Sequence, residues 1–297
     1  MENNDTLLMG VVFENVKPYL NKYIESLNNQ STKNFDLLIL NDGFKEDIPD
    51  NKINNQIISI INNQTSAQIR QFGINYAIKN NYKIIIFTDT DDYYSQNYVE
   101  SLMLGLENND FVYSNIVPVD NNDITINNYF SLPHETKRYE QIIKYNYIGL
   151  GCSAVRSEII RGINIPSDII AVDWHLYTIL LLNGFAGKLV ENASVYYRQH
   201  YNNTVGGLKP LDRVRLLKGI DIKEKHYRYI YNYCLENNYE SVAKEYEIKY
   251  QEMLELKLFL QENINLEKYL NTININLNTV YKGWWSEIIS VEELNKI

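Results

Sequence analysis

Residues 82–94 read YKIIIFTDTDDYY, in which a run of apolar, mostly β-branched side chains precedes three carboxylates within four residues. The apolar run is typical of a buried strand, and Asp89, Asp91 and Asp92 follow at the point where that strand runs out. Carboxylates this close repel one another and raise one another's pKa unless a positive group lies among them. The stretch therefore predicts a buried strand that ends at a site for a divalent cation.

Apolar runs and helical patterns alternate through the first half of the chain. Short apolar runs lie at residues 7–13, 35–41, 56–61, 83–89 and 110–115, with amphipathic segments between several of them. This alternation predicts an α/β fold in which helices cover a mostly parallel sheet.

Four helices are predicted around this sheet. The first begins near Asn15, with Pro18 in its first turn, and the third and fourth cover residues 97–107 and 173–184. The second covers residues 65–81 and opens on a capping box, with one apolar face formed by Ile69, Phe72, Gly73 and Tyr76. The fourth is apolar nearly all round, so we expect it to be buried.

The pattern changes at about residue 208, after which strand patterns stop and helical patterns continue to a tail that holds Trp284 and Trp285. We therefore predict an α/β domain of residues 1–208 and a C-terminal helical extension of residues 209–297. The helices of the extension are a candidate surface for a homo-oligomer. Its basic segment 209–233 is a candidate contact with an anionic membrane surface, although a solvated helix face is the simpler interpretation.

Composition and charge restrict the class of protein. The formal net charge of -9 argues against nucleic acid as a general partner. Cys152 and Cys234 form neither a metal-ligand spacing nor a disulfide framework. The first residues lack a basic signal-peptide region, and no apolar run approaches the roughly 20 residues that span a bilayer. These features predict a cytoplasmic protein, with at most a peripheral membrane contact.

The candidate site follows from the predicted sheet. In an open parallel sheet, ligands bind beyond the carboxyl ends of the strands, so one crevice can hold both Asp42 and Asp89. A carboxylate at Asp42 can accept the imide N–H of a uracil-type base, and Arg70 can reach a phosphate or a neighbouring carboxylate. The pattern therefore favours a nucleoside diphosphate with its metal ion.

Five blocks of the sequence resemble, in the same order, those of the family 2 glycosyltransferases, which are nucleotide-sugar enzymes of the GT-A fold. The blocks lie at residues 13–43, 64–80, 84–92, 173–185 and 196–207. The resemblance implies a metal-dependent, inverting hexosyl- or rhamnosyltransferase of polysaccharide biosynthesis. Its donor would be a UDP- or dTDP-sugar, and its acceptor a hydroxyl of a glycan, a lipid-linked glycan or a protein.

The resemblance also implies roles for individual residues. Asp91 would ligate Mn²⁺ or Mg²⁺, Asp173 would be the general base, and His200 would add a contact to the metal or the diphosphate. The residues implied in nucleotide-sugar binding are Val12, Glu14, Asp42, Arg70, Asp89 and Thr90, and those implied at the donor and acceptor loop are Trp174, Asn203 and Gly206. Relatives usually have Tyr at the position of Glu14 and Pro or Thr at that of Val12, so stacking of the base on an aromatic residue is not predicted there.

Other interpretations stay open at this point. An apolar strand that ends in Asp-x-Asp also opens the haloacid dehalogenase-like phosphohydrolases, in which Asp89 would be the nucleophile. A non-catalytic sugar-nucleotide binding module is a second alternative. Individually, Asp42 could form an Asx turn, Asp173 could be a helix N-cap and His200 could be structural. The Trp284–Trp285 pair could bind an acceptor sugar, form a subunit interface or pack in the core.

Overall fold

A computed structural model of the chain describes residues 4–50, 53, 55–59, 64–126, 130–200 and 210–297. Within these ranges a nine-stranded sheet runs in the order β3-β2-β1-β4-β8-β6-β9-β5, and β7 pairs with β9. The strands are β1 Thr6–Val12, β2 Asp36–Asn41, β3 Asn55–Ser59, β4 Ile84–Phe87, β5 Tyr93–Tyr94, β6 Phe111–Val119, β7 Glu135–Thr136, β8 Ser153–Arg156 and β9 Gly187–Arg198.

The helices flank this sheet and continue beyond it. They are α1 Leu20–Asn28, α2 Ser66–Lys79, α3 Tyr98–Gly105, α4 Ser157–Ile160, α5 Val172–Leu182, α6 Arg213–Glu236, α7 Glu240–Phe259, α8 Asn263–Ile275, α9 Leu277–Val280 and α10 Val291–Leu294. Among the helices of the described ranges, none combines the length and the low charge needed to cross a bilayer.

The first four predicted strands form a parallel sheet, as the sequence pattern indicated. β1 pairs in parallel with both β2 and β4, and β2 pairs in parallel with β3. The central strands are buried on both faces, which explains why they read as continuous apolar runs. The run at 110–115 forms β6, but β6 does not pair with β4. The short strand β8 lies between them, antiparallel to both.

Two details of the helices differ from the prediction. The first α-helix begins at Leu20, after a 3₁₀ turn at Glu14–Val16, so Pro18 precedes the helix instead of lying in its first turn. In α2 the predicted capping box of Thr65 and Gln68 is present, but Phe72 is 44% exposed and does not belong to the buried face. Gly73 lies on that face, where an added Cβ would be 1.9 Å from the Met9 sulfur. The close approach to β1 therefore depends on this glycine.

The C-terminal helices pack on the α/β part through α5. The sequence predicted that α5 would be buried, and it is: the Trp174 ring stacks on His226 of α6 with ring centroids 4.0 Å apart. The basic segment 209–233 does not present all of its charges to solvent. Lys223 is buried, and its ammonium group donates to the carbonyl oxygens of Lys144 and Ile288. This lysine holds the C-terminal tail against the helices.

Candidate active site

A cavity of about 310 Å³ opens among residues that follow β1 and β4. Its ionisable lining residues are Arg70, Asp89, Asp91, Asp92, Asp173 and His200. Residues far apart in the sequence thus meet in one place, as the parallel topology predicted. The carboxyl ends of neighbouring parallel strands lie at the same edge of a sheet, which is where ligands bind in such folds.

Hydrogen bonds fix the backbone of the acidic loop. The Thr90 hydroxyl donates to the Val11 carbonyl at 2.6 Å, so Thr90 is buried and its hydroxyl is already engaged. The Tyr94 hydroxyl accepts from the Asp89 amide at 2.9 Å. The Asp92 carboxylate accepts from the Arg198 amide at 2.8 Å. The carboxylates are therefore held in place by the surrounding backbone before any ligand binds.

Arg70 and Asp89 form an ion pair in which one guanidinium nitrogen lies 2.8 Å from a carboxylate oxygen. Arg70 lies on α2, one turn after the capping box that starts the helix at the edge of the cavity. A second guanidinium nitrogen, Nη1, is buried and has no hydrogen-bond partner among the described atoms. An anionic ligand would satisfy a donor of this kind.

Gly151 is packed directly against this ion pair. A Cβ added at Gly151 would be 2.3 Å from an oxygen of the Asp89 carboxylate. We expect Gly151→Ala to displace Asp89 from Arg70 and to lower kcat/KM at least about tenfold, which corresponds to about 1.4 kcal/mol. Steady-state kinetics together with Tm would check this. Unchanged kinetics in a folded variant would show that the position of the Asp89 carboxylate does not matter.

Asp91 and His200 form the second pair, with imidazole Nε2 2.9 Å from a carboxylate oxygen. His200 is 7% exposed, and its ring stacks on Tyr19 with centroids 5.1 Å apart.

Burial and the neighbouring carboxylates raise the pKa of Asp92 well above its usual range. In the part of the chain that the structure describes, no three His, Cys, Asp or Glu side chains converge as a complete metal site.

The ligand atoms of Asp91 and His200 are nevertheless of the kinds that bind a divalent cation. It offers a carboxylate oxygen and an imidazole nitrogen beside two further carboxylates, and it leaves positions for ligand oxygens and water. Mn²⁺ and Mg²⁺ in nucleotide sites are commonly bound by one or two protein groups together with phosphate oxygens. Asp91 and His200 are the residues that would hold the ion.

Asp173 lies in the first turn of α5 and faces the same cavity. Burial raises the pKa of its carboxyl group to about 7. The hydrogen bond donated by the Trp174 amide at 2.7 Å lowers this pKa, but by less than burial raises it. The N-cap of the helix is Ala171, so the interpretation of Asp173 as the cap is wrong. A carboxylate with a pKa near neutrality, in a cavity, is suited to act as a general base.

Other residues implied by the sequence lie around the cavity rather than in its lining. The Val12 side chain is fully buried, and its carbonyl accepts from the Asp42 amide at 2.8 Å. Asp42 is half-buried at the same edge of the sheet, and the turn after β2 is closed by Asn41, whose side chain accepts from the Phe44 amide at 2.8 Å. Glu14 is exposed in the 3₁₀ turn.

Trp174 does not line the cavity. Its ring is fully buried in the core, where the indole N–H donates to the Ile142 carbonyl at 2.7 Å, so it is not positioned to contact a substrate. Asn203 and Gly206, which the resemblance implied at the donor and acceptor loop, lie outside the described residues.

Several aromatic residues of the lining were not among the predicted site residues. Phe13 follows β1 directly and is 38% exposed in the cavity wall. It offers an aromatic surface one position before Glu14, and its place at the carboxyl end of a predicted strand was a signal in the sequence. Tyr197, Trp284 and Trp285 also line the cavity. Both tryptophans are packed in the core, at 8% and 6% exposure, and their remaining surface lies in the cavity wall, so core packing and a place at the site hold together.

Comparisons with known proteins agree with this arrangement. The family model described as glycosyl transferase family 2 matches residues 10–163, just over half of the chain. No protein of curated function matches the chain by sequence.

Solved structures are similar in fold. Residues 1–349 of S. aureus TarS superpose with a TM-score of 0.59 and 14% identity over 98% of this chain and 82% of that one. The same fragment in complex with UDP-GlcNAc superposes with a TM-score of 0.53 and 13% sequence identity, over 75% of this chain and 66% of that one. The mannosyltransferase PcManGT from Pyrobaculum calidifontis, in complex with GDP-Man and Mn²⁺, superposes with a TM-score of 0.50 and 10% sequence identity. The match covers 77% of this chain and 64% of that one. In the last two comparisons the chain spans slightly less than two thirds of the matched protein. At these identities the likeness shows the fold, which is GT-A.

Proposed function

This chain belongs to glycosyl transferase family 2, and we propose that within the family it is a metal-dependent, inverting hexosyl- or rhamnosyltransferase. Its donor is a UDP- or dTDP-sugar, and its acceptor is a hydroxyl group of a glycan, a lipid-linked glycan or a protein. One observation carries the proposal. A single cavity holds Arg70, Asp91 and His200, which suit a diphosphate and its metal ion. The same cavity holds Asp173, whose pKa is raised to about 7.

Donor binding is assigned to the charged side of the cavity. The free Nη1 of Arg70 is suited to donate to a phosphate oxygen, and Asp91 and His200 are suited to hold Mn²⁺ or Mg²⁺. When bound, such an ion neutralises charge on the departing diphosphate, a contribution of several kcal/mol. The nucleobase of the donor would lie towards Asp42 and Phe13. There a carboxylate can accept the imide N–H of the nucleobase, and an aromatic ring can stack on it.

The chemical step needs a base at the other side of the donor sugar. Asp173 accepts the proton of the acceptor hydroxyl while that oxygen forms a bond to C1 of the sugar. The bond from C1 to the diphosphate oxygen breaks on the opposite face, its electron pair leaves with the diphosphate, and the configuration at C1 inverts. Because Asp173 has a pKa of about 7, much of it is ionised at neutral pH and ready to accept a proton.

The two alternative functions are less well supported. Family membership favours a transferase over a phosphohydrolase, and Asp89 is engaged by Arg70 at 2.8 Å, which stabilises the carboxylate and weakens it as a nucleophile. A binding module without catalysis would have no use for a partly buried carboxylate with a pKa near neutrality in the same cavity as Arg70, Asp91 and His200.

A thermal-shift screen tests the donor half of the proposal. We expect UDP or dTDP with Mn²⁺ to raise Tm by several degrees, since a ligand at 100 times its Kd stabilises by about 2.7 kcal/mol. EDTA should remove most of the shift. Uridine monophosphate is the matched control, because it keeps the base and lacks the second phosphate. If no nucleoside diphosphate shifted Tm with or without Mn²⁺, the proposed donor class would be wrong.

A further inference from the structure

One wall of the cavity comes from the C-terminal end of the chain. Trp284 and Trp285 lie between α9 and α10, yet they line the same cavity as Asp91 and Asp173. We refer to residues 281–288 as the tryptophan segment. Part of the region beyond residue 208 therefore completes the site.

The backbone of the tryptophan segment is arranged so that both indoles face one cavity. Successive residues of an extended chain point in opposite directions, so two adjacent side chains rarely line the same pocket. Trp285 has a φ of +70°, in the left-handed region that bulky residues seldom adopt, and this turn redirects the chain between the two rings. Conformations of this kind are strained and persist where the surroundings impose them, often at ligand sites.

The surroundings impose this conformation through several contacts. The Trp284 amide donates to the Asn146 carbonyl at 2.8 Å, and the Asn146 amide donates to the Trp284 carbonyl at 3.1 Å. Gly283 makes the approach possible, because a Cβ there would be 2.5 Å from the Asn146 carbonyl oxygen. On the other side, buried Lys223 donates to the Ile288 carbonyl. The tryptophan segment is thus a fixed part of the cavity wall.

The ring of Trp284 is also held in a defined orientation. It makes edge contacts with Phe130 and Tyr197, with centroids 5.3 Å and 6.0 Å apart. A Cβ at Gly149 would be 2.6 Å from the ring, so a glycine leaves the space that the indole occupies. Rigid aromatic surfaces lose little entropy when they bind a ligand.

We propose that Trp284 and Trp285 bind the acceptor, and that the acceptor group is therefore a sugar ring rather than a protein side chain. This inference rests on the proposed glycosyltransferase function. The charged side of the cavity suits the diphosphate of the donor, whereas the acceptor hydroxyl must reach Asp173, which shares the cavity with both indoles. The C–H faces of a pyranose ring are apolar and its edge is polar, which matches an indole wall beside a carboxylate.

Binding of simple glycosides tests the inference. The probes are the methyl glycosides of glucose, galactose, N-acetylglucosamine, mannose and rhamnose, measured by saturation-transfer NMR with UDP and the diamagnetic ion Mg²⁺ present. We expect at least one of them to receive saturation on one face of its ring in the wild type. In Trp284→Leu and Trp285→Leu the affinity for that glycoside should fall about tenfold or more, as for other buried aromatic anchors. Trp285→Phe should retain part of it.

Two further measurements serve as controls. One shows whether a loss of glycoside binding comes from a damaged fold, and the other shows whether it comes from a wrong assignment of the donor. Tyr246→Leu removes a fully buried aromatic residue from α7 that does not line the cavity, and it should retain glycoside binding. UDP binding with Mn²⁺ should be unchanged in both tryptophan variants. The inference is overturned if no probe binds the UDP-loaded wild type, or if the leucine variants bind the glycoside as the wild type does. Failure of the wild type to bind UDP would instead contradict the proposed function.

Discussion

Asp91→Ala is expected to abolish sugar transfer and to remove the Mn²⁺ dependence of donor binding while leaving the fold intact. Asp91 is one member of the pair that would hold the ion, with an oxygen 2.9 Å from the His200 ring. Losing a metal clamp removes several kcal/mol of charge stabilisation from the departing diphosphate, so transfer should fall at least about 10³-fold. Nucleotide release measures the rate, and calorimetric titration of UDP with and without Mn²⁺ measures the metal dependence.

The control for this variant is Asp5→Ala. Asp5 is an exposed carboxylate just before β1, and it pairs with Lys83 at 2.7 Å at the opposite edge of the sheet. Exposed ion pairs contribute about 1 kcal/mol or less, so this variant should keep both activity and metal dependence. If Asp91→Ala retained wild-type kcat/KM with Mn²⁺ still required, the cation would have to bind elsewhere.

The parallel half of the sheet and the position of the acidic cluster could be predicted because they depend on local patterns. Apolar runs of strand length and the capping box at Thr65 lie within short windows of sequence. Parallel topology then brings the ends of β1 and β4 together without knowledge of side-chain packing. The mistake at Phe72 has the same origin, because periodicity defines a face of a helix but not how far the neighbouring elements cover it.

Contacts between distant segments could not be predicted from periodicity. His200 contacts Asp91 across 109 residues, and only the family resemblance indicated that they belong to one site. For the tryptophan segment no such guide existed. Its position depends on a bridge to Asn146, on the buried ammonium group of Lys223 and on the left-handed conformation of Trp285. Tertiary packing decides each of these, and no local pattern in a tail that follows several helices encodes them.

Asp173→Asn is the second variant from which we expect a large effect, and it should separate catalysis from binding. Asparagine keeps the size of the side chain and an oxygen that can accept from the Trp174 amide, but it cannot accept a proton from the acceptor hydroxyl. A positioned base contributes about 10²–10⁴-fold, so kcat should fall by that amount while the Kd for UDP with Mn²⁺ stays the same. Equal losses in kcat and in donor affinity would mean that Asp173 is not the base.

The pH dependence gives an independent test of the same assignment. Burial raises the pKa of Asp173 to about 7, and only the ionised form can accept a proton. In the wild type, kcat/KM should therefore be low below pH 6, rise through about pH 7 and level off above it, since this parameter reports the free enzyme. The residual activity of Asp173→Asn should lack that rise.

The stability of this variant should change in the opposite direction from its activity. A carboxyl group whose pKa is raised on folding favours the folded state when protonated, and it loses that contribution as pH rises from its unfolded value towards about 7. Asparagine is never ionised, so Asp173→Asn should have a higher Tm than the wild type at pH 8 and a similar Tm at pH 4. A variant that was less stable than the wild type at pH 8 would show that the charge of Asp173 is compensated in the folded protein. The raised pKa, and with it the expected rise in activity near pH 7, would then be wrong.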